Sequence, residues 1–343
     1  MTQSPSSLCD ALAPLATGEP VVAAAFLGNV CLFARADGGV SRADGDMTIP
    51  GAAMKSEELR AHPNGAVISA ASDTRRLLTG GDDGRIVETR ASGECVLLVE
   101  EQGHWIDALA TRSDGGVAWT AGRAVRARDA SGETKSLDLP STSRGVAFLP
   151  KGYRLVVAHY GGATLWYPNT GAKPETLEWK GSHLDVTVSP DGRFVITSMQ
   201  ENTLHGWRLS DNKNMRMSGY PAKTRSLSWS KDGNWLATSG ADACILWPFQ
   251  GKDGPMGAAP RECGVRAGVG VTRVAYHPTA QVVAVGYEDG MVLLCRVSDG
   301  SELLARKPVA GAKISALAWD QTGARLAFGA ENGEAGVLAL PRG

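Results

Sequence analysis

At 343 residues with a formal net charge of −1, from 35 Lys and Arg against 36 Asp and Glu, the chain carries no global field that would draw it to nucleic acid or acidic lipid. A hydrophobic share of 43% suffices for a packed interior, and 42 glycines supply the many tight turns that short strands need. The six cysteines (Cys9, Cys31, Cys95, Cys244, Cys263 and Cys295) show no CxxC spacing, which suits reduced thiols and excludes a disulfide framework.

In chain order, residues 1–20 carry no Lys or Arg, and the apolar run 21–27 is too short for a signal peptide or a membrane span, so a cytoplasmic location is expected. From 21 onward one unit is spelled eight times: an apolar strand, a turn, a second apolar strand, a turn, and a third strand. Weak copies begin near Val21 and Val67, and an eroded one near Ile106 has Arg123-Ala124 where a tight acidic turn belongs. The fourth reads 143–148, 153–158 and 163–166 around Pro150-Lys151-Gly152. The fifth reads 184–188, 193–198 and 203–207 around Ser189-Pro190-Asp191-Gly192, and the sixth 225–229, 235–239 and 244–247 around Lys231-Asp232-Gly233. Two more begin near Thr272 and Ile314. First strands end at Phe26, Ser72, Thr111, Phe148, Val188, Trp229, Tyr276 and Trp319, roughly every 40 residues, the period of propeller blades. The second turn recurs as Asp37-Gly38-Gly39, Asp83-Gly84-Arg85 and Asp289-Gly290-Met291. Fourth strands are expected at 95–99, 134–139, 175–179, 215–218 and 302–306. Between copies six and seven, 248–264 is a long Gly- and Pro-rich loop whose composition leans toward disorder.

These units resemble the WD40 repeats of β-propellers, from about Val21 to Leu340, through Ser-Pro-Asp-Gly and the strand-closing Trp166, Trp207 and Trp247. No copy ends in the Trp-Asp pair that names the family. The resemblance implies an all-β fold in a single domain over 1–343: a WD40-like propeller of eight four-stranded blades, with seven as the alternative. The eighth copy lacks a fourth strand, so the N-terminal segment 1–19, through part of 2–15, is expected to supply it and close the ring. In the family a His, a hydroxyl, an acid and the closing Trp can form a hydrogen-bonded chain. His183, Ser198, Glu201 and Trp207 match those places, a structural role.

No GxSxG elbow, HExxH, P-loop or helix-opening GxGxxG occurs, so no enzyme activity and no cofactor are expected; a propeller hydrolase or lyase is the remotest reading. His159, His183, His205, Cys244 and Cys263 raise the alternative of a zinc-binding accessory protein, but none has ligand spacing. The patterned feature that remains is basic. Arg144, Arg225, Arg273 and Lys313 sit at or before first strands, and the resemblance puts them on the channel face with the second turns bearing His159, Tyr160, Gln200, Glu201, Tyr287 and Glu288. Arg beside Tyr is a hot-spot composition, and Arg pairs with carboxylates. The expected function is that of a monomeric scaffold or adaptor binding a protein or acidic peptide there, without nucleic acid or membrane.

Overall fold

Burial falls off in a fixed order along every repeat. Second strands such as Phe194–Met199 and Arg325–Ala330 are buried at every residue, first strands such as Val67–Ser72 are half-buried, and Lys55–Arg60, a fourth strand, is almost wholly exposed. That order is what radial sheets produce, with the first strand along a central channel and the fourth at the rim. The computed structural model describes residues 7–45, 51 and 54–340. Apart from a 3-10 turn at Cys9–Ala11, its regular elements are strands, and no described helix is long and apolar enough to cross a membrane.

All strand ladders are antiparallel and, except where Leu12–Ala16 joins the last sheet, pair strands consecutive in the chain. Sheet one holds Val21–Leu27, Val30–Arg35, Gly39–Asp44 and Lys55–Arg60; sheet two begins at Val67–Ser72 and sheet three at Ala108–Thr111. The strand pairing makes seven sheets, the alternative count, although all eight sequence copies are present. Copies four and five share one six-stranded sheet because Leu155–Trp166 and Glu175–Val188 are double-length strands. Leu155–Trp166 pairs with Gly145–Phe148 through 155–158 and with Glu175–Val188 through 160–165; Glu175–Val188 then pairs onward with Phe194–Met199. The remaining sheets begin at Leu227–Trp229, Val271–Tyr276 and Ile314–Trp319. In the last, the outer strand is Leu12–Ala16, with Leu12 opposite Leu338 and Ala16 opposite Glu334. Of the expected closing segment, residues 1–6 lie outside the described residues.

The second turn is built the same way three times. Asp37, Asp83 and Asp289 each accept a hydrogen bond through Oδ1 from the backbone two residues on, at 3.0–3.1 Å. The glycine between has φ of +87°, +76° and +84°, and a Cβ on Gly84 would fall 2.1 Å from the Glu101 carbonyl oxygen, so only glycine fits. The 248–264 segment is not a plain loop. Arg261–Cys263 is the fourth strand of its sheet, and Phe249 packs edge-on against Phe194 and Trp229 while Asp253 pairs with Arg208 at 2.5 Å and Lys213 at 3.1 Å.

The core is a circle of apolar layers between neighbouring sheets. Leu78 and Ile86 meet Ile106, Val117 and Trp119 between sheets two and three; Val21, Phe26 and Phe33 meet Ala316, Ala327 and Val337 between the last sheet and the first. The bracing chain expected in copy five is not formed. His183 bonds Thr197 Oγ1 at 2.7 Å and the Trp179 carbonyl at 3.0 Å, because Ser198 points to the other face of the strand. Glu201 instead accepts from the Ser182 amide, and the Trp207 indole donates to the Glu178 carbonyl. Copy two holds the family-like chain, with His62 between Thr79 at 2.9 Å and Asp83 at 3.0 Å. Copy six substitutes Tyr220, whose hydroxyl accepts from the Trp247 indole and meets Thr238 Oγ1, both at 2.6 Å.

His205 stacks on Trp179 at 3.9 Å, bonds Asn214 Oδ1 through Nε2 at 2.9 Å, and leaves Nδ1 buried without a partner. Burial pushes its pKa down from 6.5 to about 4, with the neighbouring His183 and Arg216 adding to the shift against Asn214. The unfolded chain therefore binds a proton near pH 6.5 that the folded chain refuses until about pH 4. Stability from this site is full above pH 6.5 and is lost as pH falls through that window. Urea melts of the native chain at pH 7 and pH 4.5 should differ by about 1–3 kcal/mol more than those of His205→Gln; equal differences would reject this origin.

Deleting residues 2–15 removes the outer strand that covers Val337 and Leu338. The melting temperature should drop by about 5 °C or more, since each kcal/mol is worth a few degrees in a chain of this size; an unchanged melt would show that the pairing carries no stability.

Candidate functional site

Strand alternation decides what faces the channel. Four residues before the end of each first strand stand Ile68, Asp107, Arg144, Leu184 and Arg225 in copies two to six, and all five line one cavity of about 530 Å³. Its mouth adds Trp105 and Gln200. A second cavity, of about 960 Å³, lies beside it and is lined by Arg225, Arg273, Lys313, Asp242, Glu288 and Glu331. Lys223 and Arg225 belong to both.

The expected basic residues thus meet, but in different states. The Arg144 side chain is 71% exposed and sits 3.7 Å from Asp107, a loose pair. Lys313 pairs with Glu331 at 2.6 Å across the channel rim. Arg273 is structural in large part: its Nε donates to the Ser315 carbonyl at 2.6 Å and its Nη1 to the Thr272 carbonyl at 3.2 Å. Burial lowers its pKa, Glu331 opposes the shift, and the like charge of Arg225 reinforces it. Arg225 is exposed, with its backbone amide fixed by Ser239 Oγ at 3.1 Å. No acid among the described residues lies within salt-bridge distance of Arg225 or Lys223.

Two acids face the same water. Asp185 opens onto the channel yet is hemmed in by protein, and this loss of bulk solvent raises its carboxyl pKa against a bond from the Val186 amide and the charge of Arg273. Asp107 is raised likewise by burial, with Arg144 opposing.

The second turns divide. Tyr160 (62% exposed), Gln200, Glu201 and Glu288 are on the surface, and Glu288 accepts from the Gly270 amide at 3.0 Å. His159 and Tyr287 are corrections to the expected set. His159 is buried, bonded to the Tyr160 carbonyl and Thr164 Oγ1 at 2.9 Å each, and Tyr287 is fully buried with its hydroxyl donating to the Gly264 carbonyl. Tyr287 ends a second strand and His159 lies within Leu155–Trp166 just before its bend, and at both places alternation turns the side chain into the inter-sheet layer. Of the five His and Cys candidates for zinc, Cys244 faces Cys263 and His183 neighbours His205, but no three His, Cys, Asp or Glu among the described residues are arranged to hold a metal ion.

Sequence reasoning passed over Trp105 and Ile68, exposed at 57% and 38% beside Arg144. The signal was present. Trp105 stands six residues before the end of its first strand, as Lys313 does in copy eight, and Ile68 shares the repeat position of Arg144 and Arg225. Large exposed apolar groups at a cavity mouth offer area that a charged rim does not.

The sequence matches the family model described as WD domain, G-beta repeat over residues 213–247, and that described as anaphase-promoting complex subunit 4 WD40 domain over residues 274–343. WD repeat-containing protein 1-B of Xenopus laevis is 30% identical over 82 residues, so that the match spans 23% of this chain and 14% of that protein. Among solved structures, the crystal structure of the computationally designed Ika8 protein superposes with a TM-score of 0.74 at 18% identity, covering 95% of this chain and 98% of that one. Identity that low speaks to fold alone. Four-stranded units repeating around a channel make this chain a β-propeller, and its matches over residues 213–247 and 274–343 show repeats of the WD40 type.

Proposed function

We propose that this interaction scaffold takes its partner at the channel mouth, where Lys223 and Arg225 receive an acidic side chain of a peptide or protein segment and Trp105 and Ile68 receive an adjacent apolar one. The observation that carries the reading is the state of the two cations: they line both cavities, and neither has an acid within salt-bridge distance among the described residues. Arg225 also lies close enough to Arg273 to disfavour its charge. A bound carboxylate would relieve that repulsion as well as pair with Arg225, whose fork of donors suits a carboxylate.

A role without chemistry fits the hydroxyls that line the larger cavity. Ser239 Oγ accepts from the amides of Arg225 and Ser226, Thr272 Oγ1 donates to the Ile314 carbonyl at 2.7 Å, and Ser315 Oγ donates to the Val21 carbonyl at 2.5 Å. Each is committed to backbone, and none is paired with a base that would make it a nucleophile. The six free cysteines suit the cytoplasm, where we place the protein.

Arg273 is a poor probe of binding because its loss would strip the Ser315 carbonyl of a donor. The test is Lys223→Glu with Arg225→Glu, measured against an array of synthetic acidic peptides with and without a neighbouring aromatic residue. Native chain should select peptides that combine the two features, with affinity falling as salt rises. The double variant should lose at least about tenfold in affinity, or roughly 1.4 kcal/mol, with its melt within a degree or two of native. Equal binding by both proteins, or selection of basic peptides, would overturn the reading.

A further inference from the structure

Away from the channel, three thiols, Cys244, Cys263 and Cys295, converge between the sheets that begin at Leu227–Trp229 and Val271–Tyr276. Cys244 and Cys263 are directly opposed on the paired strands Cys244–Pro248 and Arg261–Cys263. Cys295 comes from Val292–Arg296 of the next sheet and shares their apolar cluster; a Cβ built on Gly264 would meet its sulfur at 3.2 Å. All three are free and buried.

We propose that Cys263 is a peroxide-reactive thiol that closes a reversible disulfide with Cys244 on the facing strand. Directly opposed residues of an antiparallel pair have their Cα atoms roughly 4.5–5.5 Å apart, inside the window a disulfide spans, with both side chains on the same face. Of the three, Cys263 is the thiol held below its usual range, by the neighbouring Cys244 and Cys295 thiols, while those two are pushed up in turn. Its position gives access. Arg261–Cys263 is a three-residue outer strand at the end of a long connection, the kind of element that opens locally before the rest of a sheet. Gly264, next in the chain, is held by the Tyr287 hydroxyl and by Glu302 Oε1, so the strand returns to the same register after opening.

The chemistry balances with a peroxide as oxidant. The Cys263 thiolate attacks one peroxide oxygen, the O–O bond breaks, and the departing hydroxide takes the thiol's former proton as water, leaving a sulfenic acid. The Cys244 sulfur attacks that sulfur, the S–O bond breaks, and the leaving hydroxyl takes the Cys244 proton as a second water while the S–S bond forms. Two thiols and one hydrogen peroxide become one disulfide and two waters. A bridge on so short an outer strand comes within reach of thiol reductants whenever that strand opens, so it is reversible.

The remaining cysteines are internal controls. Cys31 is fully buried with its thiol pushed well up by desolvation, and Cys9 and Cys95 are half-buried without a neighbouring thiol among the described residues. The full chain is treated with hydrogen peroxide, its residual thiols are blocked with N-ethylmaleimide, and unreduced peptides are mapped by mass spectrometry. The expected result is the loss of two of the six thiols, a linked peptide joining Cys244 to Cys263, and full recovery with dithiothreitol. Cys263→Ser should abolish the bridge and Cys31→Ser should leave it; Cys295→Ser should form it severalfold more slowly, having lost a neighbouring thiol that favours the Cys263 thiolate. The native map stands even if a variant folds poorly. A Cys263–Cys295 link, oxidation first at Cys9 or Cys95, or six unreacted thiols would overturn the proposal.

Discussion

A four-stranded sheet with two apolar faces cannot be stable alone, and the seam between neighbouring sheets is the constraint on which everything else in this molecule rests. Each seam has an apolar layer, and at several of them a hydroxyl reaches across at the channel end. Ser69 donates to the Ile106 carbonyl at 2.6 Å, Thr272 to Ile314 at 2.7 Å, and Ser315 to Val21 at 2.5 Å, the last joining the two ends of the chain. These bonds satisfy carbonyls that would otherwise be buried without partners. They also fix the rotation of the first strands that carry them, since a hydroxyl aimed at the next sheet forces the adjacent residue toward the channel.

The channel wall is a consequence of that seam. With Ser69 turned to the next sheet, Ile68 must face the opening; with Ser226 bonded to the Val274 carbonyl, Arg225 must do so. One repeat position therefore becomes a ring of unlike side chains, apolar, acidic and basic, on a shared backbone. Because the wall position contributes little to the seam, its side chain can vary without cost to the fold, which is the usual condition for a recognition surface on a rigid frame.

Repetition made the fold readable from sequence, since turns such as Asp83-Gly84 and strand-closing Trp207 carry local chemistry that repeats with the unit. The limits lay in single residues whose facing depends on register. Thr197 and Ser198 are neighbours with similar chemistry, and only the pairing with Leu204–Arg208 shows which one reaches His183. His159 and Tyr287 adjoin turns, and a one-residue difference in where the strand ends moves them from surface to core. Merger of copies four and five has the same origin: Gly161 and Gly162, both at positive φ, fold 155–166 back without a conventional loop, and the chain then runs from outer to inner strand without leaving the hydrogen-bonded sheet. The strand at Arg261–Cys263 was hidden by the glycines and prolines before it, whose composition resembles disorder although Phe249 and Asp253 tie the segment down.

What separates structural from recognition residues here is whether a side chain's bonding capacity is already used. Arg273, Lys313 and Arg225 occupy one rim and look equivalent in sequence, yet Arg273 donates to two carbonyls and Lys313 to a carboxylate, while the Arg225 guanidinium has no acid partner among the described residues. A desolvated arginine already committed to backbone would lose about as much as it gained by turning to a ligand, since the carbonyls it left would be unsatisfied. An exposed, uncommitted one has only its hydration to give up. Trp105 follows the same logic in apolar terms, because more than half of its surface meets water that a partner would displace. Specificity at this mouth therefore depends less on the total charge, which is nearly balanced by Asp107, Asp185, Asp242, Glu288 and Glu331, than on which few groups remain unpaired after the seam has taken what it needs.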